Sequence, residues 1–232
     1  MGRVPTFVEG LDDFLGGGVP EGHVVLVQGP PGSMKTTLTY SILLGNAARE
    51  KRRGLYLCLE QTKARFTAQM EQTGLPPGPA GDRLDVVDLA GARRETTDQA
   101  WGEVWLEVLG GLIDEAAGRG TKLAAFDSLT LHEALAGQVK RSHVMELFEK
   151  FREAGLTAFA ISEGSGDGLH PAGADFLADG ILQVRIADES GGVQRSRRIA
   201  VLKMRGVAHG LDDLTLLFRN GRFRVAPVMK LG

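Results

Sequence analysis

The sequence predicts an α/β fold: a mostly parallel, twisted sheet flanked by helices, with an antiparallel extension at its C-terminal end. Three observations predict it. Short apolar runs without polar alternation recur through the first 190 residues, as strands covered on both faces require. Amphipathic stretches of helical period lie between them, which is the rhythm of βαβ units. Beyond residue 190 strand-like runs follow one another directly. The 232 residues, 43% of them apolar, are enough for one large core, and no repeat, low-complexity tract or linker interrupts them. We therefore expect one domain spanning 1–232.

Taken in order, the strands are expected at 23–28 (HVVLVQ), 54–60 (GLYLCLE), 84–89 (LDVVDL), 122–127 (KLAAFD), 156–162 (LTAFAIS) and 180–186 (GILQVRI). A helix follows the first strand, anchored by Leu38 and Ile42. Trp101, Val104, Trp105, Val108, Leu109 and Leu112 fall at helical spacing and form a second apolar stripe. At that spacing the two tryptophans read as core rather than as a base-stacking platform. Val144, Leu147, Phe148 and Phe151 make a third stripe. RRIAVLKMR (197–205) and LTLLFRNGRFRVAP (214–227) are the late strands. Within the second, Asn220-Gly221 stands between two strand-like runs, a strong signal for a two-residue hairpin.

Composition narrows the function classes. A net charge of −2 supplies no global field toward nucleic acid or an acidic membrane. Cys58 is the single cysteine, which rules out an internal disulfide and suits a reducing compartment. No apolar run approaches the ~18 residues of a membrane span. The N-terminus lacks the pattern of a signal peptide, and MGRVPT matches the loose myristoylation spelling by chance. The expected location is cytoplasmic.

The stretch GPPGSMKTTL (29–38) follows a buried strand and opens a helix. A glycine-rich loop in that setting wraps phosphates with its backbone N–H groups, aided by the helix dipole. Gly29, Pro30, Pro31, Gly32, Ser33, Met34, Lys35, Thr36 and Thr37 are the candidate ligands. From Gly32 onward each residue offers an amide, while Pro30 and Pro31 stiffen the loop ahead of those donors. Lys35 supplies charge for the β- and γ-phosphates, and the Thr36 hydroxyl is placed to ligate Mg²⁺. Met34 stands where the usual G-x-x-x-x-G-K-S/T pattern has its second glycine. Methionine is compatible there if its backbone is helical and its side chain points away from the phosphates, with Gly32 absorbing part of the turn.

Two carboxylates complete the candidate site. Asp127 ends the strand of KLAAFDS, where nucleotide enzymes hold the water shell of Mg²⁺. Glu60 ends the strand after the phosphate-loop helix. A carboxylate on that neighbouring strand can polarise a water in line with the γ-phosphate.

GLDDFLGGGVPEGHVVLVQGPPGSMKTTL resembles the opening of KaiC-type ATPase domains, within the RecA superfamily. The resemblance continues through LYLCLEQT, AAFDSLT, FREAGLTAFAISE, ADGILQV and IAVLKMRGVAHG, nearly the whole chain. It implies a RecA-like phosphate-loop NTPase core that binds ATP with Mg²⁺, with Glu60 as hydrolytic base. The family commonly writes Glu-Glu at that base; here the pair reads Glu60-Gln61. The family's K-x-R-G signature matches Lys203, Arg205 and Gly206, and His209 keeps its place six residues after the lysine. In the family these residues reach across a subunit boundary to the neighbour's nucleotide. Lys203 and Arg205 share strand parity, so they project on one face. The family's clock protein carries two such domains in tandem and this chain one, so clock function does not follow.

The leading expectation is a slowly hydrolysing, homo-oligomeric ATPase, a hexameric ring by family analogy, acting as a nucleotide-dependent regulatory switch with a protein partner that the sequence does not name. No Ser or Thr is assigned as an autophosphorylation acceptor. A recombination accessory that binds DNA is the first alternative. Its DNA loop would be EGSGDGLHPAGAD (163–175), which has no Lys or Arg, so nucleic acid is not an expected partner. The basic cluster Arg195, Arg197 and Arg198 more simply borders the nucleotide-facing strand. The second alternative is a near-inactive ATP-binding scaffold, favoured by Met34 and Gln61 and opposed by Glu60, Lys203 and Arg205.

Overall fold

A computed structural model describes residues 2–89, 91, 98–130, 141–164, 173–188 and 195–228, with the backbone alone for 98–103. Nine strands form one sheet: β3 (Val24–Gly29), β4 (Arg53–Cys58), β5 (Leu84–Asp88), β6 (Thr121–Asp127), β7 (Thr157–Glu163), β8 (Gly180–Asp188), β9 (Arg195–Met204), β10 (Leu214–Arg219) and β11 (Arg222–Pro227). Their spatial order is β11-β10-β9-β8-β3-β7-β6-β4-β5. Strands β8, β3, β7, β6, β4 and β5 run parallel, and β9, β10 and β11 extend the sheet antiparallel. Two short strands that the sequence did not announce, β1 (Arg3–Val4) and β2 (Val19–Pro20), pair as a separate ribbon.

Strand β3 illustrates why its sequence is apolar throughout. Val25 and Val27 enter one hydrophobic layer while Val24 and Leu26 enter the other, and all four are fully buried. The first layer includes α2 (Lys35–Gly45), α3 (Lys63–Gln72) and the short α1 (Leu11–Phe14). The second is built from α4 (Asp98–Gly118), α5 (Arg141–Glu153) and the single turn α6 (Ala174–Leu177). The expected stripes face this core: Trp105 and Leu109 on α4 are 1% exposed, and Val144, Phe148 and Phe151 on α5 are fully buried. Val104 and Val108 lie at the stripe's exposed margin. The Trp101 side chain lies outside the described residues, as do residues 165–172 of the loop proposed for DNA.

The hairpin has the expected register, with Arg219 opposite Arg222 and both turn residues at positive φ (50° at Asn220, 70° at Gly221). Strand bounds shift by one or two residues, and one shift moves a site residue. The strand expected over 54–60 ends at Cys58, because Leu59 turns to bond the Asp127 carbonyl through its amide at 2.7 Å and Glu60 is carried out of the sheet. Among the described residues no helix is long and apolar enough to cross a membrane.

Candidate functional site

The loop between β3 and α2 closes on a cavity of about 270 Å³ lined by Lys35, Thr36, Asp127, Glu60, Glu163 and Gln69, with Met34 and Ile161 at its wall. The amide of Ser33 donates to the Pro30 carbonyl at 3.3 Å, and that of Leu38 to Met34 at 2.9 Å, so the loop passes directly into the helix. The ammonium of Lys35, 6% exposed, donates to the Pro30 carbonyl at 3.0 Å. Burial lowers its pKa from the ordinary lysine value, an effect that Glu163, Asp127 and Glu60 partly offset.

Met34 corrects one expectation. Its backbone is not right-handed helical: φ is 75° and ψ 24°, the left-handed region that glycine occupies without strain. The loop has kept the glycine geometry without the glycine. Gly32, at φ 78°, takes a second left-handed position, as expected. The Met34 side chain packs partly against the first hydrophobic layer, which holds the residue in place.

Asp127 is 2% exposed at the end of β6. Its Oδ2 accepts from Thr36 Oγ1 at 3.0 Å and from the Tyr56 hydroxyl at 2.7 Å. Its Oδ1 is buried with no partner among the described residues. Burial pushes the carboxyl up to about 6; the nearby Glu60 charge adds to the rise, and the Tyr56 and Thr36 bonds and Lys35 oppose it. Three carboxylates therefore face one buried ammonium. That excess of oxygen donors, with one valence unfilled beside a threonine hydroxyl, fits a hard divalent cation such as Mg²⁺. Among the described residues no cluster of three or more His, Cys, Asp or Glu could hold a metal alone, so such a cation would also need oxygens from a phosphate ligand.

Glu60 reaches the cavity by a different route from the one expected. Its strand is not next to β3: β7 and β6 stand between β3 and β4. It arrives instead from beyond β4, beside the end of β6, where Ser128 Oγ donates to its Oε1 at 3.0 Å. Gln61 donates to Gln69 Oε1 at 2.9 Å and is committed to α3. Tyr56 and Gln69 are positions at the candidate site that sequence reading missed. Tyr56 is fully buried, its ring 4.6 Å from that of Phe66, and a buried tyrosine needs a partner for its hydroxyl. That need was the available signal. Gln69 gave none, since a glutamine on an amphipathic helix is ordinary.

Lys203, Arg205 and His209 are not brought to this cavity. Strand β9 begins beside the phosphate loop, where Arg197 donates to the Gly32 carbonyl through Nε and Nη2 at 3.3 and 3.2 Å. It runs antiparallel to β8 and ends with Met204 opposite Gly180, at the opposite strand-end edge of the sheet, where β3 begins. The eight residue steps from Arg197 to Arg205, just past the end of β9, cover about 26 Å. Lys203 Nζ donates to the carbonyls of Asp175 and Phe176, both at 3.1 Å, and Arg205 Nη1 to Asp179 Oδ1 at 2.9 Å. His209 lies in the connection to β10, with Nδ1 3.1 Å from the Gly210 carbonyl. Arg195 and Arg198 bond to Asp188 and Ser196, so the basic cluster is engaged with its own strands.

A cavity built from a strand, a glycine-rich turn, a helix N-terminus with Lys-Thr and a strand-ending Asp is a nucleotide site. Comparison with known proteins agrees. A UPF0273 protein from Aeropyrum pernix is 29% identical, over 90% of this chain and 87% of its own. A second from Pyrococcus horikoshii is 28% identical over the same shares. The circadian clock oscillator protein KaiC of Picosynechococcus is 24% identical over 97% of this chain but 45% of its own length. The crystal structure of the KaiC-like protein PH0186 from Pyrococcus horikoshii superposes with a TM-score of 0.80, covering 97% of this chain and 99% of that one, at 20% identity. The KaiC ATPase family model matches residues 4–227, and with this architecture of strands, loop and Lys-Thr/Asp pair the chain belongs to that family of RecA-type nucleotide-binding ATPases.

Proposed function

We propose that the protein is a homo-oligomeric, slowly hydrolysing ATPase whose active sites are shared between neighbouring subunits, and that nucleotide turnover switches its assembly or its exposure to a regulatory protein. Each subunit is read as one domain over 1–232, in a ring of six by family analogy and in the cytoplasm. In this reading Gly32 to Thr37 hold the phosphates through backbone amides and Lys35, with Gly29, Pro30 and Pro31 shaping the loop ahead of them, while Thr36 and Asp127 would hold Mg²⁺. The cation, when bound, would neutralise charge between the β- and γ-phosphates. Glu60 takes a proton from the attacking water, and Ser128 fixes its carboxylate. Lys203, Arg205 and His209 serve the neighbour's nucleotide.

One observation carries the shared-site reading. The two cations expected at the γ-phosphate, Lys203 and Arg205, lie about 20 and 26 Å along the chain from Arg197, which touches their own phosphate loop, and cannot serve it. Only a second copy can bring them to one. Slow rather than fast turnover follows from Gln61, which is bonded to Gln69 and supplies no second carboxylate. It follows also from a Met34 backbone that has little freedom to rearrange.

The test is complementation. Glu60→Gln subunits have an intact Arg205, and Arg205→Ala subunits have an intact Glu60. Each alone should lose turnover, by roughly 10-fold or more for the arginine. Mixed in equal parts they should recover activity, because about one interface in four then pairs two intact halves. Mass measured with ATP, with ADP and without nucleotide should show assembly that depends on ATP. A protein that stays monomeric with ATP and turns over at a rate independent of concentration would refute the reading.

A further inference from the structure

Asp179 stands at the junction of three strands. Its amide donates to the Val24 carbonyl at 2.8 Å, and its carbonyl accepts the Arg205 amide at 2.8 Å, so its backbone bridges the start of β3 to the end of β9. Its side chain is 12% exposed and carries more bonds than a structural turn needs. Oδ2 accepts from the Val24 amide at 3.0 Å and from Arg152 Nε and Nη2 at 3.1 and 2.9 Å. Oδ1 is left for Arg205 Nη1, at 2.9 Å. The carboxylate is thus fixed by a strand amide and a second guanidinium independently of Arg205.

Arg205 in turn is 55% exposed in its side chain. Among the described residues its side chain makes, besides the Asp179 bond, one long contact to the Phe176 carbonyl, at 3.5 Å, and its own carbonyl lies 3.0 Å from His23 Nε2. A guanidinium has five N–H donors, so most of its fork faces outward. An arginine side chain free in solvent samples many rotamers, and a single aimed carboxylate restricts them in advance.

We propose that Asp179 is a positioning residue that aims Arg205 across the subunit boundary. The proposal rests on the shared-site reading, and it adds that the arm is preorganised by its own subunit rather than ordered by the neighbour's phosphate. Preorganisation of a transition-state cation raises turnover more than it tightens ATP binding. Asp179→Asn should therefore lower kcat by roughly 10- to 100-fold while leaving ATP affinity within about 2-fold.

The test must separate aiming from support of β3, because Asp179 also bonds the strand that leads to its own phosphate loop. Mixing Asp179→Asn subunits with Glu60→Gln subunits does so. If Asp179 acts through Arg205, its defect lies at the neighbour's site, and the mixture recovers turnover. If it supports its own loop, the mixture stays inactive and the proposal fails. Wild-type kcat in Asp179→Asn alone also overturns it, as does a further loss when Asp179→Asn is added to Arg205→Ala, since a positioning residue has nothing left to position. The mixture of Arg205→Ala with Glu60→Gln is the reference. Recovery there without recovery for Asp179→Asn sinks the Asp179 role alone, and no recovery there sinks the shared site itself. Should Asp179→Asn fail to melt cooperatively, Asp179→Glu keeps the charge, displaces it by one methylene and enters the same mixtures with the same outcomes.

Discussion

Asp127 and Asp179 lie toward opposite edges of the same sheet and are buried to similar degrees, at 2% and 8% exposure, yet their carboxylates are treated in opposite ways. Among the described residues Asp127 receives two hydroxyl donors on one oxygen and none on the other, and burial with the Glu60 charge pushes it up to about 6. Burial would raise Asp179 too, but the Val24 amide and the Arg152 and Arg205 guanidiniums more than offset it and hold the carboxyl below its ordinary value. The difference shows which edge is built for a visitor. A carboxylate kept under-bonded costs stability in the empty protein and is relieved when a ligand supplies the missing charge. A carboxylate bonded on both oxygens belongs to the frame, and here it frames an arginine.

The largest expected effect lies at the under-bonded edge. Glu60→Gln keeps the size of the side chain and its bond from Ser128 but removes the base, so kcat should fall by ~10²–10⁴-fold with ATP affinity nearly unchanged. Single-turnover phosphate release beside equilibrium ATP binding measures both. Unchanged release would move the base to Glu163, the other carboxylate on the cavity wall.

Next in size, Lys35→Ala should weaken ATP binding by about 10²-fold through loss of a charge-assisted phosphate contact. Arg205→Ala at the opposite edge should leave the affinity of a dilute, unassembled subunit unchanged. Equal affinity for wild type and Lys35→Ala would remove the phosphate assignment. A loss of affinity in dilute Arg205→Ala would erase the contrast between the edges.

Local sequence made the two edges unequally legible. The phosphate loop, Asp127 and the parallel strands are contiguous signals, and apolar runs with their punctuation place each of them within about two residues. Glu60 was found for the right strand by the wrong neighbour, because sheet order is a long-range property that no local pattern encodes. Tyr56 was hidden inside an apolar run where only its hydroxyl was unusual. Met34 was legible as a departure, but its left-handed backbone was not, since propensity argues for the opposite and tertiary packing decides. The far edge was darker still. Asp179 reads as an ordinary strand-start aspartate, and its four donors come from β3, α5 and the end of β9, up to 155 residues away in the chain.

A third prediction reverses sign between the two aspartates. For Asp127 the folded pKa lies above the ordinary 3.8, at about 6, so the folded state binds the extra proton and loses stability as pH rises through that window. Asp127→Asn removes the unfavourable charge and should stabilise the nucleotide-free, metal-free protein by on the order of 2 kcal/mol at pH 7–8, a gain that shrinks as pH falls below about 6 and is gone only below the ordinary 3.8. For Asp179 the folded pKa lies below 3.8, so its contribution is complete above that value and is lost only as pH falls beneath it. Asp179→Asn should therefore destabilise by roughly 1–3 kcal/mol throughout pH 5–8. Denaturant midpoints across that range, taken with a chelator present, measure both. Two shifts of the same sign would mean that Asp127 is supported in a way its bonding does not account for.

The smallest effect tests what Met34 does to the loop. A non-glycine residue at φ 75° costs about 1–2 kcal/mol, and the packing of the methionine side chain on the first hydrophobic layer opposes that cost. Met34→Gly relieves the backbone but loosens the unfolded chain and gives up the packing, so net stability should move by less than about 1 kcal/mol. Met34→Ala keeps the strain and loses the packing, and should fall about 1 kcal/mol below Met34→Gly. Function should follow the backbone rather than the side chain. The glycine variant can rearrange around phosphate, so its ATP affinity or turnover should shift by a few-fold, roughly 2- to 5-fold, while the alanine variant stays near wild type in both. If alanine and glycine shift binding alike, the side chain at the cavity wall is what matters. If neither moves binding or turnover, the left-handed methionine is a neutral way of writing the same loop, and slow turnover must then be traced to Gln61.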